Sequence, residues 1–159
     1  MFVVITRSFP PEIGGMQNLM EGLSNSLVEH GPVKVFADNF ENTERYDKNS
    51  KLNIIRISGL KLFRKYRKAK IVSQFIKEND NIRAIFFDHW KSIEHVHYDA
   101  LKNIPTFCLI HSKEIFHPMG SNNNTRMKKA LSKASFIVAN SNFTKELAKK
   151  CGINENKIK

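Results

Sequence analysis

Six short apolar runs recur along the chain, at residues 2–6, 33–37, 53–57, 84–88, 106–110 and 136–139. Most are continuous rather than alternating, which is the pattern of parallel strands covered on both faces. Helical patterns fill the intervals. Met16, Met20, Leu23 and Leu27 fall at i, i+4, i+7 and i+11, with Gly31 as the stop. Further helices are predicted over residues 60–77, near 93–103 and 126–133, and from a Ser141-Asn142 cap to Gly152. Gly120 and Ser121 with Asn122, Asn123 and Asn124 read as a mobile polar loop. Such alternation dictates an α/β fold, a Rossmann-like doubly wound parallel sheet with right-handed crossovers. Lys157-Ile158-Lys159 looks like the start of one more strand, so a domain boundary or truncation is expected there.

At 159 residues, with 41% hydrophobic residues and 12 Phe, the chain suits one folded domain with a proper core. No apolar run reaches the ~18 residues of a spanning helix. The four apolar residues before Thr6-Arg7 are too few for a signal peptide, so a cytoplasmic location is expected. Cys108 and Cys151 belong to no C-x-x-C pair and read as buried or incidental thiols. The net charge of +11 implies attraction to something negative: nucleic acid, anionic lipid headgroups or phosphorylated ligands. No helix-turn-helix, RNP-type aromatic pair or zinc finger accompanies it, so nucleic acid is not expected as a partner.

Three segments follow directly after predicted strands and should converge on the sheet's carboxyl edge, where ligands of such folds bind. The first is Phe9-Pro10-Pro11-Glu12-Ile13-Gly14-Gly15-Met16-Gln17, a Pro-stiffened loop whose Gly-Gly pair opens a helix. It aims free N–H groups and a positive helix end at its occupant, an arrangement suited to phosphates. It is neither a G-x-G-x-x-G fingerprint nor a P-loop. The second is Asp88-His89-Trp90. Asp88 or His89 is placed to meet a ligand hydroxyl and Trp90 to face a ligand ring; the alternative is a packed aromatic with two exposed polar neighbours. The third is His111-Ser112. A neutral His111 there suits a hydrogen bond to a ligand hydroxyl or to developing negative charge; the alternative is a satisfied histidine closing a strand. Glu114 would orient it or simply be solvated. His89, His95 and His97 lack a partner set of carboxylates, and no metal is expected.

The opening SFPPEIGGMQNLMEGLSNSLVEHGPVKVFA, the segment PTFCLIHSKEIF and the closing ASFIVANSNFTKELAKKCGINENKIK together resemble family-4 retaining glycosyltransferases of the GT-B architecture. Within these, the F-P-P-x-x-G-G-x-Q pattern is most similar to mannosyltransferases acting on inositol phospholipids. The resemblance implies that residues 1–159 form the N-terminal, acceptor-binding half of such an enzyme. Gly14 and Gly15 would approach the donor diphosphate, Gln17 would touch the acceptor, and His111 would lie at the reacting centre with Ser112 beside it. The donor is implied to be a nucleotide-sugar used as co-substrate, with no metal or other cofactor. The family's Arg/Lys pair and E-x7-E segment belong to a second domain that would be supplied in cis or on another chain. No turnover is expected from this half alone.

Lys61-Leu62-Phe63-Arg64-Lys65-Tyr66-Arg67-Lys68-Ala69-Lys70 carries six positive charges and no acid. On a helix, Leu62, Tyr66, Ala69, Val72 and Ile76 form one stripe with Phe63 beside it, and the bases spread over the rest. Lys61, Arg64, Lys65, Arg67 and Lys68 are therefore expected to rest on an anionic surface, the inner face of the cytoplasmic membrane. The alternative is a crossover helix that solvates its lysines.

The leading functional expectation is transfer of a hexosyl group, mannosyl by the resemblance, from a nucleotide-sugar to a lipid-linked or glycan acceptor. The alternative is a non-catalytic module that binds phosphorylated glycans or anionic lipids.

Overall fold

Val3, Val4 and Ile5 are wholly buried, because their strand lies mid-sheet with helices over both faces. The computed structural model describes all residues, 1–159. Its six parallel strands are β1 (Phe2–Ile5), β2 (Val33–Asp38), β3 (Asn53–Ile57), β4 (Ala84–Phe87), β5 (Thr106–Ile110) and β6 (Phe136–Ala139), in the spatial order β3-β2-β1-β4-β5-β6. All six predicted strands form, to within a residue at their ends. Ile5 stands in register with Phe36 on one side and Phe87 on the other, so the carboxyl ends of β1 and β4 lie level while β2 runs on to Asp38. The order reverses between β1 and β4, and that reversal opens a crevice at the carboxyl edge.

Helices α1 (Gly15–Val28) and α2 (Thr43–Asn49) lie on one face, with Met20 and Tyr46 against Val4, Val35 and Ala37. Gly31, at φ 145°, provides the left-handed turn from α1 into β2. On the opposite face lie α3 (Lys61–Lys77), α4 (Trp90–Ile93), α5 (Tyr98–Leu101), α6 (Ser112–Ile115), α7 (Asn122–Leu131) and α8 (Asn142–Lys150). Their core holds Phe36, Phe87, Trp90, Ile110, Ile115 and Met127.

Three expectations are corrected. The helix expected near 93–103 is two short pieces, α4 and α5. Lys133 Nζ donates to the carbonyls of Glu94 (2.6 Å) and Val96 (2.9 Å), and Ser73 Oγ accepts from the His97 N–H at 3.1 Å. Backbone groups satisfied from outside have no need of a continuing helix. The polar segment 121–124 is not a loop but the start of α7: Ser121 caps it by accepting from the Asn124 N–H at 3.2 Å. Asn124 is 1% exposed and donates its amide to the Cys151 carbonyl. The unexpected α2 is anchored from a distance, through paired hydrogen bonds from Arg56 to Asp47 at 2.7 and 3.0 Å. At the far edge, Ile158 pairs with Ile137 in a parallel bridge, matching the strand-like reading of residues 157–159.

Candidate functional site

The β1/β4 crevice is built around Asp88. Its carboxylate accepts from Thr6 Oγ1 (2.9 Å), the Arg7 N–H (2.7 Å) and the Ser92 hydroxyl, which ties the ends of the two strands together. Burial works to raise its pKa, but His89, Lys68 and these donors outweigh burial and hold the carboxyl below its ordinary range. Lys68 crosses beneath, with Nζ at 2.7 Å from both the Thr6 carbonyl and Asp38 Oδ1.

Above this layer opens a cavity of about 610 Å³, the size of an ordinary ligand site. Arg7 and Ser8 line it from just beyond β1, Lys91 and Ser92 from beyond β4, the first turns of α3 from the side, and Gln17 and Glu12 from either side of the Gly-Gly pair. Cations outnumber carboxylates in the lining. Asp38 is held by Lys68, and Glu94 accepts from Arg126 at 2.7 and 3.0 Å.

His111 stands at the end of β5, half-buried, with its pKa lowered by burial against the pull of Asp88. Its Nε2 is enclosed and has no hydrogen-bond partner, and the same is true of Glu114 Oε2 and His117 Nε2. Orphaned polar atoms grouped on one short segment mark a place where a ligand or water completes the bonding. At the head of α1, no side chain caps the helix and no acid sits in its first turn. Its leading N–H groups are therefore available to an anion.

A family model described as Glycosyltransferase Family 4 matches residues 13–159. The chain belongs to glycosyltransferase family 4. The fold of this family-4 chain is that of the N-terminal Rossmann-like half of a GT-B glycosyltransferase. It is similar to HepE of Anabaena in complex with UDP (TM-score 0.73, 14% identity, covering 99% of this chain and 42% of that one). It is also similar to the lipopolysaccharide outer core galactosyltransferase WaaB in its apo form (TM-score 0.67, 14% identity, 100% and 44%). A third, UGT89C1 of Arabidopsis thaliana complexed with UDP-L-rhamnose, gives a TM-score of 0.63 at 15% identity, over 99% and 50%. The chain thus spans less than half the length of the first two. No curated protein matches it.

The family-4 site differs from the sequence expectation at several residues. Asp88 is 1% exposed with its oxygens occupied, so it braces the crevice and does not meet an acceptor hydroxyl. Trp90 is wholly buried and donates Nε1–H to the Glu114 carbonyl, so it faces no sugar. Lys68, expected on a membrane-facing surface, is 3% exposed because its ammonium is drawn to Asp38. The apolar stripe of α3 splits: Ala69, Val72 and Ile76 are buried, whereas Leu62, Phe63 and Tyr66 are 79, 65 and 51% exposed. Lys61, Lys65 and Arg67 are exposed beside them, and Arg64 is half-tied, donating to the Gly59 and Asn39 carbonyls.

Of the glycines, Gly14 is extended, and a Cβ there would collide with the Gln17 side-chain oxygen. Gln17 thus folds back over Gly14, while Gly15 faces open space. Ser112 opens α6 half-exposed beside His111. His89 is buried, His97 is exposed and His95 packs on Tyr66 at 4.3 Å, and no three His, Cys, Asp or Glu side chains gather at metal-binding range. Arg7, Lys91 and Arg126 line the cavity without having been picked out in sequence. For Arg7 a signal existed, since it follows directly on the β1 run.

Proposed function

We propose that this chain is the acceptor-binding domain of a retaining glycosyltransferase, one that moves a hexosyl group from a nucleotide-sugar to a lipid-linked or glycan acceptor. The family-4 match across residues 13–159 carries the reading. The acceptor lies in the β1/β4 crevice, with Gln17 on its polar groups. The donor diphosphate sits against the uncapped start of α1, where Gly15 leaves the backbone open to close approach. A nucleotide-sugar donor accords with the complexes of similar structures with UDP and UDP-L-rhamnose.

His111 is the residue proposed at the reacting centre. Its ring is kept neutral by burial and its Nε2 is unengaged, so it can bond a sugar hydroxyl and steady charge as the diphosphate leaves. In a retaining transfer the departing phosphate itself can take the acceptor proton, so no strong protein base is required. A second domain, in cis or on another chain, supplies the remaining donor contacts, and no metal takes part. The apolar and basic head of α3 holds the domain peripherally on an anionic membrane, at the cytoplasmic face.

The test is transfer from a panel of nucleotide-sugars to lipid-linked and soluble acceptors, by this domain joined or mixed with its second domain. His111→Ala should lower the rate about 100-fold, the scale of losing one preorganised polar group. Undiminished transfer would remove His111 from the reacting centre. Binding of acceptor with no transfer from any donor would favour a non-catalytic module.

A further inference from the structure

Arg7, which lines the cavity, and His89, buried behind it, form a conflict that protein atoms alone leave unresolved. Arg7 Nη1 stands 3.3 Å from His89 Nε2. The other ring nitrogen, Nδ1, accepts the Lys91 N–H at 2.9 Å, so a neutral ring carries its proton on Nε2. A guanidinium only donates. Two donors therefore point at one spot with no acceptor between them, and one of them belongs to a side chain that is 5% exposed. Around the spot, Arg7, Lys61, Lys65 and Lys91 have no carboxylate within ion-pair distance, while the cavity's Asp38 and Glu94 are already held by Lys68 and Arg126. Glu12, the third lining carboxylate, takes the Gln17 amide at 3.4 Å.

The geometry points to a phosphoryl subsite: an anionic phosphate oxygen accepts from Arg7 and from His89 Nε2–H together, with Lys91 and the lysines of α3 balancing its remaining charge. Gly14 and Gly15 themselves do not line the cavity. The inference rests on the acceptor-domain reading and deepens it, making the acceptor a phosphorylated molecule, either a soluble phosphomonoester or a lipid phosphodiester. Arg suits this role because its planar fork matches two phosphate oxygens at once.

The 159-residue chain is titrated with inorganic phosphate, with glucose 6-phosphate and with glucose, while the His89 imidazole nitrogens are followed by NMR. Phosphatidylcholine vesicles with and without phosphatidylglycerol form the lipid arm. Phosphate and glucose 6-phosphate should move the His89 Nε2 signal, and glucose should not. Arg7→Gln should weaken binding at least tenfold with Tm unchanged, since Arg7 is exposed, and Lys102→Gln, just past the end of α5, should leave it intact. Tight binding of glucose 6-phosphate assigns a soluble source; binding only to phosphatidylglycerol vesicles, lost in Arg7→Gln, assigns a lipid one. An unmoved Nε2 signal with every probe, or equal affinity in Arg7→Gln, overturns the subsite. Those outcomes are independent of transfer: sugar transfer without phosphate binding sinks the subsite alone, and phosphate binding without transfer sinks the enzyme reading alone.

Discussion

At the residue scale, Asp88 shows how a group that looks catalytic becomes structural. Its position after an apolar run is the one an acceptor-binding carboxylate would occupy. Its orientation is set by Thr6, Arg7 and Ser92, which arrive from both sides. Replacing Asp88 with Asn keeps the shape but turns an amide donor toward donors. The loss should be about 3 kcal/mol, the scale of a buried charge-assisted network, or roughly 6–12 °C in Tm for a domain of this size. Because the native pKa lies below the ordinary value, this stabilisation is complete above the unfolded pKa and disappears as pH falls through the native one. Thermal melts of wild type and Asp88→Asn should therefore begin to converge below about pH 4, the ordinary carboxyl value, and meet below the native pKa. A gap that persists there would mean that packing, and not charge, holds the site. His111 at a strand end was legible in sequence, whereas the roles of Arg7 and His89 were not, because a donor meeting a donor exists only across 82 positions of chain.

At the element scale, α3 carries the sharpest difference between pattern and outcome. Its apolar residues do repeat with helical period, but the sheet is not long enough to cover them all. Lys68 reaches the Thr6 carbonyl, one residue past the end of β1, so Lys68 marks where the helix passes the carboxyl edge. Residues before it overhang, leaving Leu62, Phe63 and Tyr66 exposed among bases; residues after it pack. Such an end has the composition of a surface-lying amphipathic segment. Changing Lys61, Lys65 and Arg67 together to Gln should weaken sedimentation with anionic vesicles about 100-fold, at about 1 kcal/mol per charge. Equal sedimentation of the triple variant would take the membrane role away. The boundaries of α7 carry the same lesson: Ser121 reads as loop punctuation until Asn124 is seen buried against Cys151.

At the scale of the whole molecule, three histidines are held neutral by burial. His89, His95 and His111 each have a lowered pKa, desolvation being the largest cause, with Asp88, Glu94 or Glu114 pulling the other way. A depressed histidine binds its proton more readily in the unfolded chain, so stability is complete above about pH 6.5 and drains as pH falls below it. Melting temperature should decline between pH 7 and 5, and a flat profile over that range would show that these rings titrate freely. The six strands, the parallel sheet and the arrival of three post-strand segments at its carboxyl edge were all determined by local pattern, because periodicity and turn chemistry act over a few residues at a time. The tertiary structure alone decided which side chains at that edge face inward. It closed Asp88, Trp90 and Lys68 into the frame and left Arg7, Lys91 and the head of α3 open. That choice depends on partners brought together by the β1/β4 reversal, and residues far apart in sequence compete for the same carboxylate only after the sheet has formed.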